Sequence, residues 1–329
     1  MAYGVVIEFS ADDGTRLAGT LTLPNAARPV AGALLLSGSG PLDRDSNMPQ
    51  QRLDVAAALA AALAAHGVAS LRFDKRGVGA SGGEYLSTGF HREMSDGGAA
   101  LAALQGSPSI DPKRVAIAGH SVGATIAIRL AAADAPQPQA SLAGGGTPKA
   151  GDPSQRLDKV PPIGGVVLLA GAARPGAEVM EWQSARIAAT LPRALRPLGP
   201  LFMRMQARGR RRLRASTADI IRVNLSRSPA RWMREYMAYD PAADLPAIRC
   251  PVLAVTGCKD VRVDAVDIDR MRELVDAPFT GHTPADLTHV LHTTSGPPGL
   301  AGYRAQLRKP PDPALMERVA TWIRDRTSS

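Results

Sequence analysis

Residues 114–134, RVAIAGHSVGATIAIRLAAAD, constrain this chain more than any other segment: an apolar run, then Gly119-His120-Ser121-Val122-Gly123, then an apolar, alanine-rich stretch with helical spacing. A strand, a sharp turn and a helix are what a GxSxG sequence needs if it is to lift a serine hydroxyl clear of a sheet. The turn strains the serine backbone, and glycine is required at 119 and 123 where the incoming strand and the outgoing helix crowd together. A helix starting at Val122 aims its first amides at the same spot. The Val122 N–H is therefore placed to hold negative charge developing beside Ser121.

The pattern alone is cheap, because Gly79-Ala80-Ser81-Gly82-Gly83 also fits it. Context separates the two. Ser81 follows Asp74-Lys75-Arg76 and precedes Gly82, Gly83 and Glu84, a loop composition with no helix to supply amides. Ser121 is the candidate nucleophile, against the alternative that it merely caps a helix.

Around this segment, strand patterns fall near 5–10, 16–23, 31–37, 69–74, 114–119, 164–171 and 251–257, and helical patterns near 51–66, 91–105 and 312 onward. After two initial strands the two patterns alternate, which predicts an α/β fold with a mostly parallel sheet covered on both faces. Runs such as ALLL and VVLL are continuously apolar, as strands buried on both faces must be. The C-terminal helix is predicted from Asp312 as N-cap, Pro313 at its first position, and Leu315, Met316, Val319, Trp322 and Ile323 on one face. Residues 135–162, rich in Pro, Gly, Ala and Gln, read as a long surface loop.

With 45% apolar residues in 329, the chain can bury a large core. No run approaches the roughly 18 apolar residues of a membrane span, and the start lacks the basic-then-apolar order of a secretory signal, so a soluble cytoplasmic protein is expected. Cys250 and Cys258 bracket the strand PVLAVTG. Held about 26 Å apart by an extended strand, they are expected not to pair, and without CxxC spacing they give no metal or redox signal.

The net charge of +9 resembles a nucleic-acid signature until it is mapped. Residues 176–240 hold 13 arginines against five acids, leaving the rest of the chain almost neutral. That stretch is broken by Pro192, Pro197, Pro200 and Pro229 and contains no convincing strand, so it reads as a helical insertion. The division expected is therefore a core over 1–175, an arginine-rich helical segment over 176–240 and the rest of the core over 241–329.

A serine hydroxyl needs a histidine to take its proton, and the histidine needs a carboxylate to fix its tautomer. In a doubly wound sheet these groups lie on loops at the carboxyl ends of strands. Asp260 stands three residues after PVLAVTG and is the first candidate acid; Asp264 and Asp267, placed on the following helix, are its rivals. Of six histidines, His66, His91 and His120 do not follow a late strand. His282, His289 and His292 remain, with His289 in Leu287-Thr288-His289-Val290-Leu291 favoured and His292 as the main alternative. The chain order Ser121, Asp260, His289 supports that choice.

A second oxyanion donor is sought in the loop after the third strand, Ser37-Gly38-Ser39-Gly40-Pro41, whose small residues let amides approach a reacting carbonyl. The Ser39 N–H comes first, with Gly38 or Gly40 as alternatives. No Walker-type lysine follows, so phosphate binding is disfavoured. A complete GxGxxG does occur at Gly77, Gly79 and Gly82 and raises a nicotinamide-binding rival. Asp74-Lys75-Arg76 intervenes between strand and glycines, no helix opens on them, and no acid ends a strand about twenty positions later, so the rival is weak.

Together SGSGPLDRDSN at 37–47, RFDKRGVGASGG at 72–83, DPKRVAIAGHSVG at 111–123, YDPAADLPAIRCPVLAVTGCKD at 239–260 and DLTHVL at 286–291 resemble the α/β-hydrolase superfamily, and within it the bacterial esterase and acyl-thioesterase-like group. The resemblance implies an eight-stranded, mostly parallel sheet, a helical cap after the sixth strand, and a triad at Ser121, Asp260 and His289. It also places Asp43-Arg44-Asp45 as structural support beside the oxyanion loop. The activity implied is hydrolysis of a small-molecule ester or thioester through an acyl-enzyme, with no cofactor and no metal. An acyl-CoA thioesterase or acyltransferase, and a non-catalytic binding module on the same fold, are the alternatives.

Leu198, Leu201, Phe202, Met203 and Met205 alternate with Arg196, Arg204 and Arg208, which predicts an apolar underside and a charged outer face for the cap. The plainest reading of the arginines is that they are solvated. They would otherwise attract an anionic substrate or, less favoured, an anionic membrane surface. Nucleic acid is disfavoured because aromatics are few.

Overall fold

The strand segments take up a single twisted sheet because their alternate residues have two different cores to enter. The structure, a computed structural model, describes residues 2–26, 29–133, 162–223 and 226–328. In chain order its elements are β1 (Tyr3–Ser10), β2 (Arg16–Leu23), β3 (Val30–Leu36), α1 (Val55–Ala65), β4 (Ala69–Phe73), α2 (Phe90–Gln105), β5 (Ile110–His120), α3 (Val122–Ala133) and β6 (Ile163–Leu169). They continue as α4 (Gly176–Ala189), α5 (Gly199–Ala215), β7 (Ile220–Val223), β8 (Ser226–Pro229), α6 (Ala230–Ala238), β9 (Val252–Val255), α7 (Asp267–Leu274), β10 (Phe279–His282), α8 (Tyr303–Gln306) and α9 (Pro313–Arg326). The main sheet runs β1-β2-β4-β3-β5-β6-β9-β10. β1 and β2 are antiparallel to their neighbours and the remaining pairs are parallel, as the sequence predicts.

Period-two alternation divides each central strand between the faces. Leu34, Val166, Val252 and Ala254 enter a core with residues of α2, α3 and α7, whereas Ala33, Leu35, Val167 and Leu253 enter another with α1 and α9. Both faces are thereby covered, which is why these strands carry almost no polar residue. α9 begins as predicted, with the Asp312 side chain accepting from the Leu315 amide at 3.0 Å. Cys250 and Cys258 form no disulfide. The loop expected over 135–162 lies, apart from Pro162, outside the described residues. Among the described residues no helix is long and apolar enough to cross a membrane.

Between β6 and β9 the chain leaves the sheet, and here two expectations are corrected. The segment is not wholly helical: β7 and β8 pair antiparallel from Ile220↔Pro229 to Val223↔Ser226. The β-branched residues Ile220, Ile221 and Val223 favour that pairing, and Pro229 ends the hairpin where its missing N–H is tolerated. Nor do all the apolar residues expected on the underside of the cap turn inward. Phe202 and Met203 are half-buried, but Leu198, Leu201 and Met205 are 52%, 57% and 55% exposed. α5 packs through the side that carries Phe202, Met203 and buried Leu213, and the helices that line the cavity beside Ser121 are α4 and α6.

Candidate active site

Ser121 stands alone between β5 and α3 with φ +57°, a left-handed conformation that costs a non-glycine residue free energy and is held here from both sides. Its amide donates to the Leu169 carbonyl of β6 at 2.8 Å, and its carbonyl accepts from Ala124 at 2.9 Å. A Cβ at Gly119 would lie 2.1 Å from the Gly123 carbonyl oxygen, and one at Gly123 would lie 2.2 Å from that of Leu36. Both glycines are therefore demanded by contact, as predicted. Ser81, the competing serine, is spent on structure: its hydroxyl donates to the Asp74 carbonyl at 2.7 Å and accepts from the Ala18 amide at 2.9 Å.

The loops after β9 and β10 bring Asp260 and His289 together. His289 Nδ1 lies 2.8 Å from Asp260 Oδ2, with both side chains almost fully buried. The other carboxylate oxygen accepts the amides of Arg262 at 2.7 Å and Val263 at 2.9 Å, so the acid is fixed in place and has its charge satisfied. An imidazole donating from Nδ1 keeps a lone pair on Nε2. The rivals are otherwise engaged. Arg174 holds Asp267 at 2.8 Å and Asp264 at 3.3 Å, and of the two only Asp267 is helical, opening α7. His292 is buried with no partner for its Nε2, and burial pushes its pKa down.

The Ser121 turn and this pair are joined through His120. Its Nε2 donates to the His289 carbonyl at 2.8 Å, and the two rings lie 5.2 Å apart. Burial first, and the His289 ring second, lower the His120 pKa to about 3, so it is a neutral structural strut. Ser121 Oγ and His289 make no hydrogen bond in this structure. Such contacts are often long in unliganded sites and tighten around substrate.

The Ser37–Pro41 loop is pinned against the serine. A Cβ on Gly38 would sit 3.3 Å from Ser121 Cβ. Buried Lys75 donates to the Gly38 carbonyl and pairs with Glu93 Oε1 at 2.5 Å, while Glu93 Oε2 accepts from Trp232 Nε1 of α6 at 2.6 Å. The Tyr85 hydroxyl lies beside the Gly40 amide without a well-aligned bond to it. Behind the loop, Arg44 forks onto Asp74 at 2.6 and 3.0 Å and Arg72 reaches Asp45 at 2.6 Å, the supporting role expected of Asp43-Arg44-Asp45. Burial opposes ionisation of Asp74, but the Arg44 bonds and the Ala80 amide outweigh it and lower its pKa. Gly79 (φ +55°) packs against this carboxylate and Gly77 (φ +71°) against the backbone of Glu84 and Tyr85, and neither opens a helix.

Ser39, Ser121 and Val122 line one cavity of about 310 Å3, within the range that binds small molecules. Val179 and Met180 of α4 and Trp232, Met233 and Tyr236 of α6 form much of its wall. Three residues at this site escaped the sequence reading: Lys75, Tyr85 and Arg262, which also lines the cavity. Only Lys75 had a visible signal, a lysine directly after an apolar strand. Among the described residues no three His, Cys, Asp or Glu side chains are arranged to hold a metal ion.

Solved structures share this architecture at low sequence identity. The alpha/beta hydrolase GrgF from Penicillium sp. sh18 is 16% identical, with 99% of this chain and 100% of that one covered at a TM-score of 0.61. The esterase Pf2001 from Pyrococcus furiosus is 16% identical over 98% and 91% at 0.59. Est1E from Butyrivibrio proteoclasticus, with ferulic acid bound, is 15% identical over 98% and 100% at 0.59. At these identities the likeness establishes the fold. No curated protein matches the chain. The Alpha/beta hydrolase family model matches residues 19–302, and the chain belongs to that family.

Proposed function

We propose that this protein is a serine hydrolase that cleaves carboxylic esters or thioesters through an acyl-enzyme. The observation that carries the reading is the 2.8 Å bond between His289 Nδ1 and a carboxylate already saturated by two amides, on a loop tied to the residue preceding a strained serine. Ser121 Oγ forms a bond to the substrate acyl carbon while His289 Nε2 takes its proton. His289 returns that proton to the departing alcohol or thiol as the C–O or C–S bond breaks. Water then repeats the sequence and frees the acid. Asp260 holds the imidazole upright and stabilises its charged form without itself being protonated.

The oxyanion is assigned to the Ser39 and Val122 amides, one from the loop clamped by Lys75 and one from the first turn of α3. Residues 176–240 act as the cap: α4 and α6 roof the serine with apolar side chains and restrict the acyl group to small or medium size. An alkyl fluorophosphonate should label the wild-type protein and leave Ser121→Ala unlabelled. Equal labelling of the two, or labelling that survives in Ser121→Ala and is lost in Ser81→Ala, would overturn the assignment.

A further inference from the structure

We propose that the cavity selects esters carrying a carboxylate remote from the scissile bond, held by Arg262; this rests on the serine hydrolase reading above. Arg262 is the one charged side chain among the described residues that line the cavity with Ser121. Three carboxylates stand within five positions of it in sequence, and none pairs with it. Asp260 is spent on His289 and two amides, while Asp264 and Asp267 both go to Arg174. The Tyr303 hydroxyl lies beside the Arg262 side chain without a well-aligned bond to it.

Arg262 is therefore half-buried at the wall of an otherwise neutral, largely apolar chamber, with no counter-ion among the described residues. Such a site is electrostatically incomplete until an anion enters, and its forked donors fit a planar carboxylate. One isolated cation balances a monoanion better than a phosphate dianion, and Trp232, Tyr236, Met180 and Met233 supply the surface for an apolar body between carboxylate and ester. The substrate class is thus a half-ester of a dicarboxylic acid, or an ester whose alcohol part bears a carboxylate. These two sources place the charge on opposite sides of the acyl carbon.

Two matched pairs separate them: mono-4-nitrophenyl adipate against 4-nitrophenyl hexanoate, and 4-carboxyphenyl acetate against phenyl acetate. The kcat/KM ratio of the charged to the neutral member should favour the charged ester in one pair, and Arg262→Gln should lower that ratio about tenfold, mostly through KM. Unchanged ratios in both pairs would overturn the proposal. Binding is measured in parallel by calorimetry on Ser121→Ala, where adding Arg262→Gln should weaken mono-4-nitrophenyl adipate or 4-carboxyphenyl acetate about tenfold and their neutral partners less. If no ester turns over and no fluorophosphonate labels the protein, it is the hydrolase reading that fails. The calorimetric comparison still decides whether Arg262 holds a carboxylate.

Discussion

His120 makes the site sensitive to acid through the stability of the fold. The ring is buried next to Ser121 with its pKa lowered to about 3, whereas in the unfolded chain it returns to about 6.5. On acidification the unfolded state takes up the proton first, so stability is intact above the unfolded pKa and is lost as pH falls from about 6.5 toward 3. Each pH unit inside that window is worth about 1.4 kcal/mol, so wild type should lose about 2.5 kcal/mol between pH 7 and pH 4.5 from this residue alone. Against a total of about 5–15 kcal/mol that is a large share. The perturbation is His120→Gln, which removes the titration yet retains an N–H able to reach the His289 carbonyl. Urea unfolding of both proteins at the two pH values isolates the residue, because every other titrating group, His282 and His292 included, is common to both. Wild type should lose about 2.5 kcal/mol more than the variant. Losses equal within about 0.5 kcal/mol would mean that the ring is not held neutral and that its bond to the His289 loop is not what buries it.

Asp260→Asn should lower kcat about 10^3- to 10^4-fold on any ester that wild type hydrolyses while binding of a non-hydrolysable analogue persists, because the amide no longer enforces an Nδ1–H tautomer; steady-state kinetics with calorimetry would check both halves. Lys75→Met should destabilise the fold by about 3–5 kcal/mol in a urea titration, since Glu93 would be left charged and buried. Gly123→Ala puts a methyl group 2.2 Å from the Leu36 carbonyl and should cost about 3 kcal/mol or more, read as a fall in Tm with retained urea m-value.

Those variants touch features with very different visibility in the amino-acid sequence. Gly119 and Gly123 were legible because a tight turn imposes a local demand, and the structure meets it through contacts among residues adjacent in the chain or across one strand. The strands around the site were legible for a similar reason: a run such as Ala33-Leu34-Leu35 has no polar residue to offer solvent, so it must lie between two cores. Asp260 and His289 were legible as chain order plus strand ends. What failed was information about facing. A 3.6-residue pattern states that α5 has an apolar side but not which side meets protein, and Leu201 and Met205 turned outward because Leu213 and the packing against α4 and α6 decided the matter. The β7–β8 hairpin was hidden by the arginines and Pro229 around four-residue strands too short to show a period. Arg262 was invisible for a related reason, since its lack of a counter-ion among the described residues depends on Arg174, 88 positions earlier, having taken the nearby acids.

The same remoteness governs how α6 and the Ser37–Pro41 loop depend on each other. Glu93 pairs with Lys75 through one oxygen and accepts from Trp232 through the other, so one buried carboxylate holds both the lysine that fixes the Gly38 carbonyl and the tryptophan that lines the cavity beside Ser121 from α6. A displacement of α6 that withdraws the indole leaves that oxygen unsatisfied in a site shielded from water, at a cost of about 1–3 kcal/mol. A charged group deprived of one partner leans harder on the other, and Glu93 can do so only by drawing on Lys75. The position of α6 and the shape of the Ser37–Pro41 loop are therefore joined through Glu93, and a shift of Trp232 reaches the loop beside Ser121 by way of Lys75.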